Sequence, residues 1–169
     1  VTLNDVQVTY AASGYTANGS KYFDNLQDAI DEVINGGYIT VRSNIELTQG
    51  VTVPAGKKIT LDLNGYTITG TPTEAAAFAV ITNNGNLTID DTQNGKILCN
   101  HNLAPSTGYA VNTITNNGTL TIEAGTIENK STYTSSNQIG YAIDNNSTTG
   151  NAVVTIKGGN VTASGSTYY

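Results

Sequence analysis

The chain has no methionine, no tryptophan, one cysteine and one histidine, and charged residues make up only 12% of its 169 positions. A single cysteine, Cys99, excludes an intrachain disulfide and any cysteine-based metal cluster. Cys99 shares the parity of Ile97 in Lys96-Ile97-Leu98-Cys99, which predicts a buried, small, apolar side chain. No apolar run approaches the roughly 20 residues a membrane-spanning helix needs, so membrane insertion is not expected. Seven basic residues against thirteen acidic ones give a net charge of -6, which leaves no basic patch for nucleic acid or an anionic lipid surface. Low charge does not here mean disorder, because Val and Ile recur among the threonines with strand periodicity. No cofactor signature is present, and no cofactor is expected.

What is there is a repeat. Asn83-Asn84-Gly85-Asn86-Leu87-Thr88-Ile89 returns about 33 residues later as Asn116-Asn117-Gly118-Thr119-Leu120-Thr121-Ile122, and about 34 further on as Val153-Val154-Thr155-Ile156. Lys57-Lys58-Ile59-Thr60-Leu61 is an earlier copy. A second short strand follows each copy after a glycine-containing turn: Tyr66-Thr67-Ile68, Lys96-Ile97-Leu98, Thr126-Ile127 and Asn160-Val161. A third precedes the last three copies, aligned as Phe78-Ala79-Val80, Tyr109-Ala110-Val111 and Tyr141-Ala142-Ile143. Three short strands per repeat predict an all-β solenoid of about five coils.

Period-two alternation predicts inward columns of Ile59, Leu87, Leu120 and Val154, of Leu61, Ile89, Ile122 and Ile156, and of Ile68, Ile97, Ile127 and Val161. Thr60, Thr88, Thr121 and Thr155 then point outward as a ladder. Two residues beyond each ladder threonine stand Asp62, Asp90, Glu123 or Lys157, so no second threonine column forms of the kind that binds ice.

Ahead of the repeats lies one helical pattern. Asp24 and Gln27 form a capping-box signature, Leu26, Ala29, Ile30, Val33 and Ile34 share a face, and Gly36-Gly37 ends the helix. An amphipathic helix at this place covers the first coil. The organisation is therefore a strand and linker over 1–22, a capping helix over 23–37 and the solenoid over 38–169. Val1-Thr2-Leu3 and Val6-Gln7-Val8-Thr9-Tyr10 alternate as strand, with an apolar parity flip at Asn4-Asp5.

A helix ending in Gly-Gly, then Ile39-Thr40-Val41, then Leu61-Asp62-Leu63-Asn64-Gly65-Tyr66-Thr67-Ile68, resembles the opening of right-handed parallel β-helix modules of the pectin-lyase-like kind, found in bacterial cell-surface proteins. The resemblance implies a parallel β-helix and an extracellular or cell-surface location; with no leader or anchor segment in view, the chain reads as a mature secreted fragment. It also raises polysaccharide lyase or hydrolase activity. Lyases of the family use an Arg or Lys base beside carboxylate-held calcium. Here Arg42 stands alone in the first coil, and no strand is expected to stack carboxylates on successive turns. Asp90-Asp91 resembles the aspartate pair of polygalacturonase-type hydrolases, but the Gly-His-Gly and Arg-Ile-Lys segments of those enzymes are missing, and a polar turn explains the pair. His101, between Asn100 and Asn102, reads as a solvated loop residue.

The excess length of the coils falls at one corner, over 69–76, 100–107 and 129–139. Insertions at one place in successive repeats often mark a binding side, which makes Glu74, His101 and Tyr133 the candidate glycan-contacting residues. Asn-x-Ser/Thr sequons, at Asn129 and Asn145 among others, follow from composition. The functional expectation is a non-enzymatic structural or adhesive module, with a carbohydrate-active module as the competing reading. Self-association through the ends is expected to join an unpartnered N-terminal strand (Val1, Leu3, Val6, Val8) of one copy to the open last coil of the next, beside Tyr168 and Tyr169, giving head-to-tail filaments.

Overall fold

The structure, a computed structural model, describes residues 6–9 (as backbone), 21–102, 109–132, 140–145 and 150–164. Its strands β3 (Gly37–Val41), β6 (Lys58–Asp62), β9 (Asn86–Asp90), β12 (Thr119–Ile122) and β15 (Val153–Ile156) stack in parallel as the first face of a solenoid. The second face is β4 (Ile45–Leu47), β7 (Thr67–Gly70), β10 (Lys96–Cys99), β13 (Thr126–Asn129) and β16 (Asn160–Ala163). The third is β5 (Val51–Val53), β8 (Phe78–Asn83), β11 (Val111–Asn116) and β14 (Ile143–Asp144). Successive strands in the chain belong to successive faces, which is a parallel β-helix.

The columns expected on the first two faces are met residue for residue. Ile59, Leu87, Leu120 and Val154 are register partners in turn, as are Leu61, Ile89, Ile122 and Ile156. Ile68, Ile97, Ile127 and Val161 follow suit on the second face. Column members from Ile59 to Ile127 are at most 1% exposed, while Thr60, Thr88 and Thr121 alternate outward at intermediate exposure. Burying each aliphatic side chain contributes about 1.5–3 kcal/mol, so the stacks carry the fold.

The third face departs from the expected alignment. Val111 stands opposite Phe78 rather than Val80, and Ile143 stands opposite Ile114 in a column with Ile81 and Val51. The strand bends where Val80 and Ile81, consecutive residues, are both buried, which breaks the period-two pattern used to align it.

The N-terminal end is closed by several devices. β1 (Val6–Thr9) pairs antiparallel with β3 on one side and with β2 (Lys21–Phe23) on the other. The expected unpartnered strand is thus already held within its own chain on both edges, as part of the first sheet. Among the described residues there is one α-helix, α1 (Leu26–Glu32), whose Leu26, Ala29 and Ile30, with Val33 just beyond, are buried against the first coil. The N-cap is Asn25, one residue after the expected Asp24, and its Oδ1 accepts from Gln27 N–H at 2.7 Å. The helix also stops sooner than Gly36-Gly37, because Val33 turns to ψ 135, and Ile34 is left 39% exposed.

Gln27 does not fold back as a capping box requires. Its side-chain amide reaches Thr52 in β5, donating to the Thr52 carbonyl at 3.0 Å and accepting from the Thr52 N–H at 2.7 Å. One primary amide thereby supplies both hydrogen bonds that a neighbouring strand would give to that edge.

Candidate functional site

The corner between the second and third faces is where the coils differ. The link there runs over 48–50 in the first coil, 71–77 in the second, 100–110 in the third and 130–142 in the fourth, so the insertions do fall on one side. Glu74 is exposed on it. Tyr133 lies outside the described residues.

His101 corrects the expectation of a solvated loop residue, for it is 1% exposed. Its backbone N–H donates to Ser131 Oγ at 3.1 Å, and its ring packs edge-on against Tyr109 with centroids 5.7 Å apart. Ser131 Oγ lies 3.5 Å from Cys99 Sγ, and the Ser131 N–H donates to Asn129 Oδ1 at 3.0 Å. Cys99 is buried as expected, and that burial pushes its thiol above the ordinary range, which keeps it protonated. His101, Cys99 and Ser131 therefore form an internal brace between two long links. Asn129 is also internal, donating to the carbonyls of Val111 and Tyr141, so this sequon is unavailable once the chain has folded.

The first face carries an acidic column that the sequence reading denied. Asp62 and Asp90 are direct register partners, and the Glu123 N–H donates to the Ile89 carbonyl, which places Glu123 next in line. Lys157 on the following coil pairs with Glu123 at 2.7 Å and ends the run. Desolvation, more than the neighbouring Asp90 and Asp91, raises the Asp62 carboxyl above the ordinary aspartate range, while the Asn64 N–H opposes the rise. Asp91 is a turn staple, as the polar-turn reading expects. Its Oδ1 accepts from Gly65 N–H at 2.8 Å and its Oδ2 from Gly95 N–H at 2.7 Å, which ties two successive coils together.

Two further polar assemblies run between coils, and neither is evident from spacing alone. Asn83 and Asn116 are fully buried where the third face turns into the first. Asn83 Nδ2 donates to Asn116 Oδ1 at 2.7 Å, and Asn116 Nδ2 donates onward to Asn145 Oδ1 at 2.8 Å. Their signal was the repeated Asn-Asn-Gly, whose glycine is demanded by close stacking: a Cβ on Gly118 would meet the Gly85 carbonyl oxygen at 2.1 Å.

On the second face Glu128 is held by Lys96 at 2.7 Å and Lys130 at 3.2 Å, with its side chain 11% exposed. The hydrogen bond from Lys96, aided by Lys130 and opposed by desolvation, lowers its carboxyl below the ordinary glutamate range. A depressed carboxyl stabilises the fold fully above its unfolded-state pKa, and that contribution is lost as pH falls through the folded value. Glu128→Gln is therefore expected to cost about 1–2 kcal/mol at pH 7. In paired urea melts the gap to the parent chain should narrow as pH falls below the ordinary glutamate range, since protonating Glu128 removes from the parent the charged interaction that the glutamine variant already lacks.

At the C-terminal end nothing comparable to the N-terminal cap covers the last coil among the described residues. Ile156 is 55% exposed and Val161 37%, around an open concavity of about 410 Å³ that Tyr141, Ile143 and Val154 also line. Of the expected assembly residues, Val1, Leu3, Tyr168 and Tyr169 lie outside the described residues, and Val6 and Val8 are taken up in β1.

No family model, curated protein or solved structure matches this chain. No helix is long and apolar enough to cross a membrane among the described residues.

Proposed function

We propose that this chain is a non-enzymatic structural or adhesive module of an extracellular or cell-surface protein, of the pectin-lyase-like parallel β-helix kind that its sequence resembles. The observation that carries the reading is the use made of its polar groups. Asp91 and the segment around His101, the residues nearest to a hydrolase constellation, are engaged as braces between coils, as are Asn83, Asn116 and Glu128. A side chain clamped between two backbone N–H groups is spent on cohesion and is not poised for proton transfer.

Self-association belongs to this proposal in altered form. With the N-terminal strand paired inside its own chain, an end-on contact runs through the open C-terminal cross-section around Ile156. Two experiments test the reading. Incubation with a panel of acidic and neutral polysaccharides is expected to give neither new reducing ends nor unsaturated products. Cleavage that disappears in Asp91→Asn would overturn the non-enzymatic assignment. Light scattering is expected to show concentration-dependent association that Ile156→Asp abolishes, and a monodisperse monomer at millimolar concentration would remove the self-association.

A further inference from the structure

Asparagine followed by glycine is the dipeptide most prone to losing side-chain ammonia, because glycine puts no Cβ in the way of its own nitrogen. Five such pairs lie among the described residues: Asn35-Gly36, Asn64-Gly65, Asn84-Gly85, Asn94-Gly95 and Asn117-Gly118. A sixth, Asn18-Gly19, lies outside them. The reaction needs the glycine backbone nitrogen to shed its proton and reach the asparagine Cγ. A glycine N–H held by an acceptor must first break that bond.

Four of the five are held. The Gly36 N–H donates to the Lys58 carbonyl at 2.7 Å, and Asn35 Oδ1 accepts from the Lys58 N–H at 2.6 Å, so both reacting groups are tied to the next coil. The Gly65 and Gly95 N–H groups both donate to the Asp91 carboxylate, at 2.8 and 2.7 Å. Their asparagines are further constrained in the left-handed region, Asn64 at φ 49 and Asn94 at φ 66. The Gly85 N–H donates to Asn83 Oδ1 at 3.2 Å. Gly118 is the exception, for among the described residues its N–H donates to no group. The asparagine ladder supplies the reason: the oxygen that would match Asn83 Oδ1 is Asn116 Oδ1, and it is turned to the Asn83 amide. The Asn117 carboxamide is half-exposed, which admits water, and is held by one bond, from Nδ2 to Asn84 Oδ1 at 2.9 Å.

We propose that Asn117 is the site at which the folded chain modifies itself, by closing a succinimide ring with Gly118. The Gly118 nitrogen bonds to Asn117 Cγ, the Cγ–Nδ2 bond breaks, and Nδ2 leaves as ammonia, carrying the proton that the nitrogen gave up. Water then opens the ring on either side. Opening at Cγ leaves aspartate; opening at the backbone carbonyl leaves an isoaspartyl link that runs through Cβ and Cγ. The balance is one water in and one ammonia out. The isoaspartyl product lengthens the backbone by one atom between two bonds to the preceding coil, Asn117 N–H to the Asn83 carbonyl and Thr119 N–H to the Gly85 carbonyl, both at 2.8 Å. Gly118 already stacks on Gly85 too closely for a Cβ, so the longer chain strains these bonds.

Incubating the chain at mildly alkaline pH, folded and in urea, and mapping its peptides by mass spectrometry tests this, with isoaspartate counted by enzymatic methylation. In urea, where the backbone bonds are gone, the five pairs are expected to convert at comparable rates. In the folded chain Asn117 is expected to convert about tenfold faster than any of the other four, the factor that one backbone hydrogen bond supplies. Its rate should rise with pH, because the attacking nitrogen must lose a proton. Asn117→Gln, which closes the larger ring slowly, is expected to remove the signal at this place and leave the other four unchanged. Equal conversion of all five in the folded chain overturns the proposal, as does faster conversion at any of the other four. So does an Asn117 that stays intact in the fold over a time in which the urea-unfolded chain reacts.

Discussion

Ile122→Ala is expected to lower the free energy of unfolding by about 2–5 kcal/mol, whereas Thr121→Ala, one residue earlier, should cost well under 1 kcal/mol. Ile122 is 0% exposed and lies in register between Ile89 and Ile156, so truncation opens a cavity inside a column. Little can collapse into it, because the neighbouring coils are fixed by their own hydrogen-bond ladders. Thr121 belongs to the outward ladder between Thr88 and Thr155, where losing a methyl and a hydroxyl changes mainly solvent contact. Urea melts of the two variants measure the difference. Equal losses would mean that the register on the first face is off by one residue.

That pair of substitutions could be chosen from the sequence because a β-helix repeats its inside and outside every coil. Each column residue is predicted several times over, once per copy, and errors of alignment show at once as a charged residue among aliphatics. The same redundancy did not extend to the third face. There the links of 71–77, 100–110 and 130–142 differ in length, and a bend at Val80-Ile81 turns two neighbours inward. A period-two rule has no means of seeing such a bend.

The candidate site was less legible, for a different reason. His101 sits between two asparagines in a polar stretch, and nothing local says that it packs against Tyr109 and beneath Ser131, thirty residues on. Burial of a loop residue is decided by another loop. The stacked carboxylates were visible as letters, since Asp62, Asp90 and Glu123 each follow a ladder threonine by two. The expectation that no strand stacks carboxylates on successive turns fails here, for Asp62 and Asp90 are register partners and Lys157 pairs with Glu123 at the end of the run. The partner of β1 was missed because the antiparallel contact with β3 lies outside the repeat, so no second copy announces it.

The asparagine ladder gives the second large effect. Asn116 Nδ2 donates to the carbonyls of Gly118 and Val153, both at 3.1 Å, and to Asn145 Oδ1, while its Oδ1 accepts from Asn83. One fully buried amide therefore satisfies groups on three successive coils. Asn116→Ala removes all of these bonds and leaves acceptors without their donor, for an expected loss of about 2–4 kcal/mol. Asn117→Ala is the natural control, since that side chain is half-exposed and donates only to Asn84 Oδ1 among the described bonds; its cost should stay below about 1 kcal/mol. Asn116→Asp should be worse than alanine at pH 7, because the introduced carboxylate is buried facing two carbonyls and the Asn145 oxygen. Burial among acceptors raises the folded-state pKa of that carboxyl, so the penalty is present above the unfolded-state value and is relieved as pH falls. Melts of Asn116→Asp at pH 7 and pH 4 should therefore converge on the parent at the acid end, where a protonated carboxyl regains one donor. A pH-independent gap would mean that the side chain at this position reaches solvent and that the ladder does not hold the coils together.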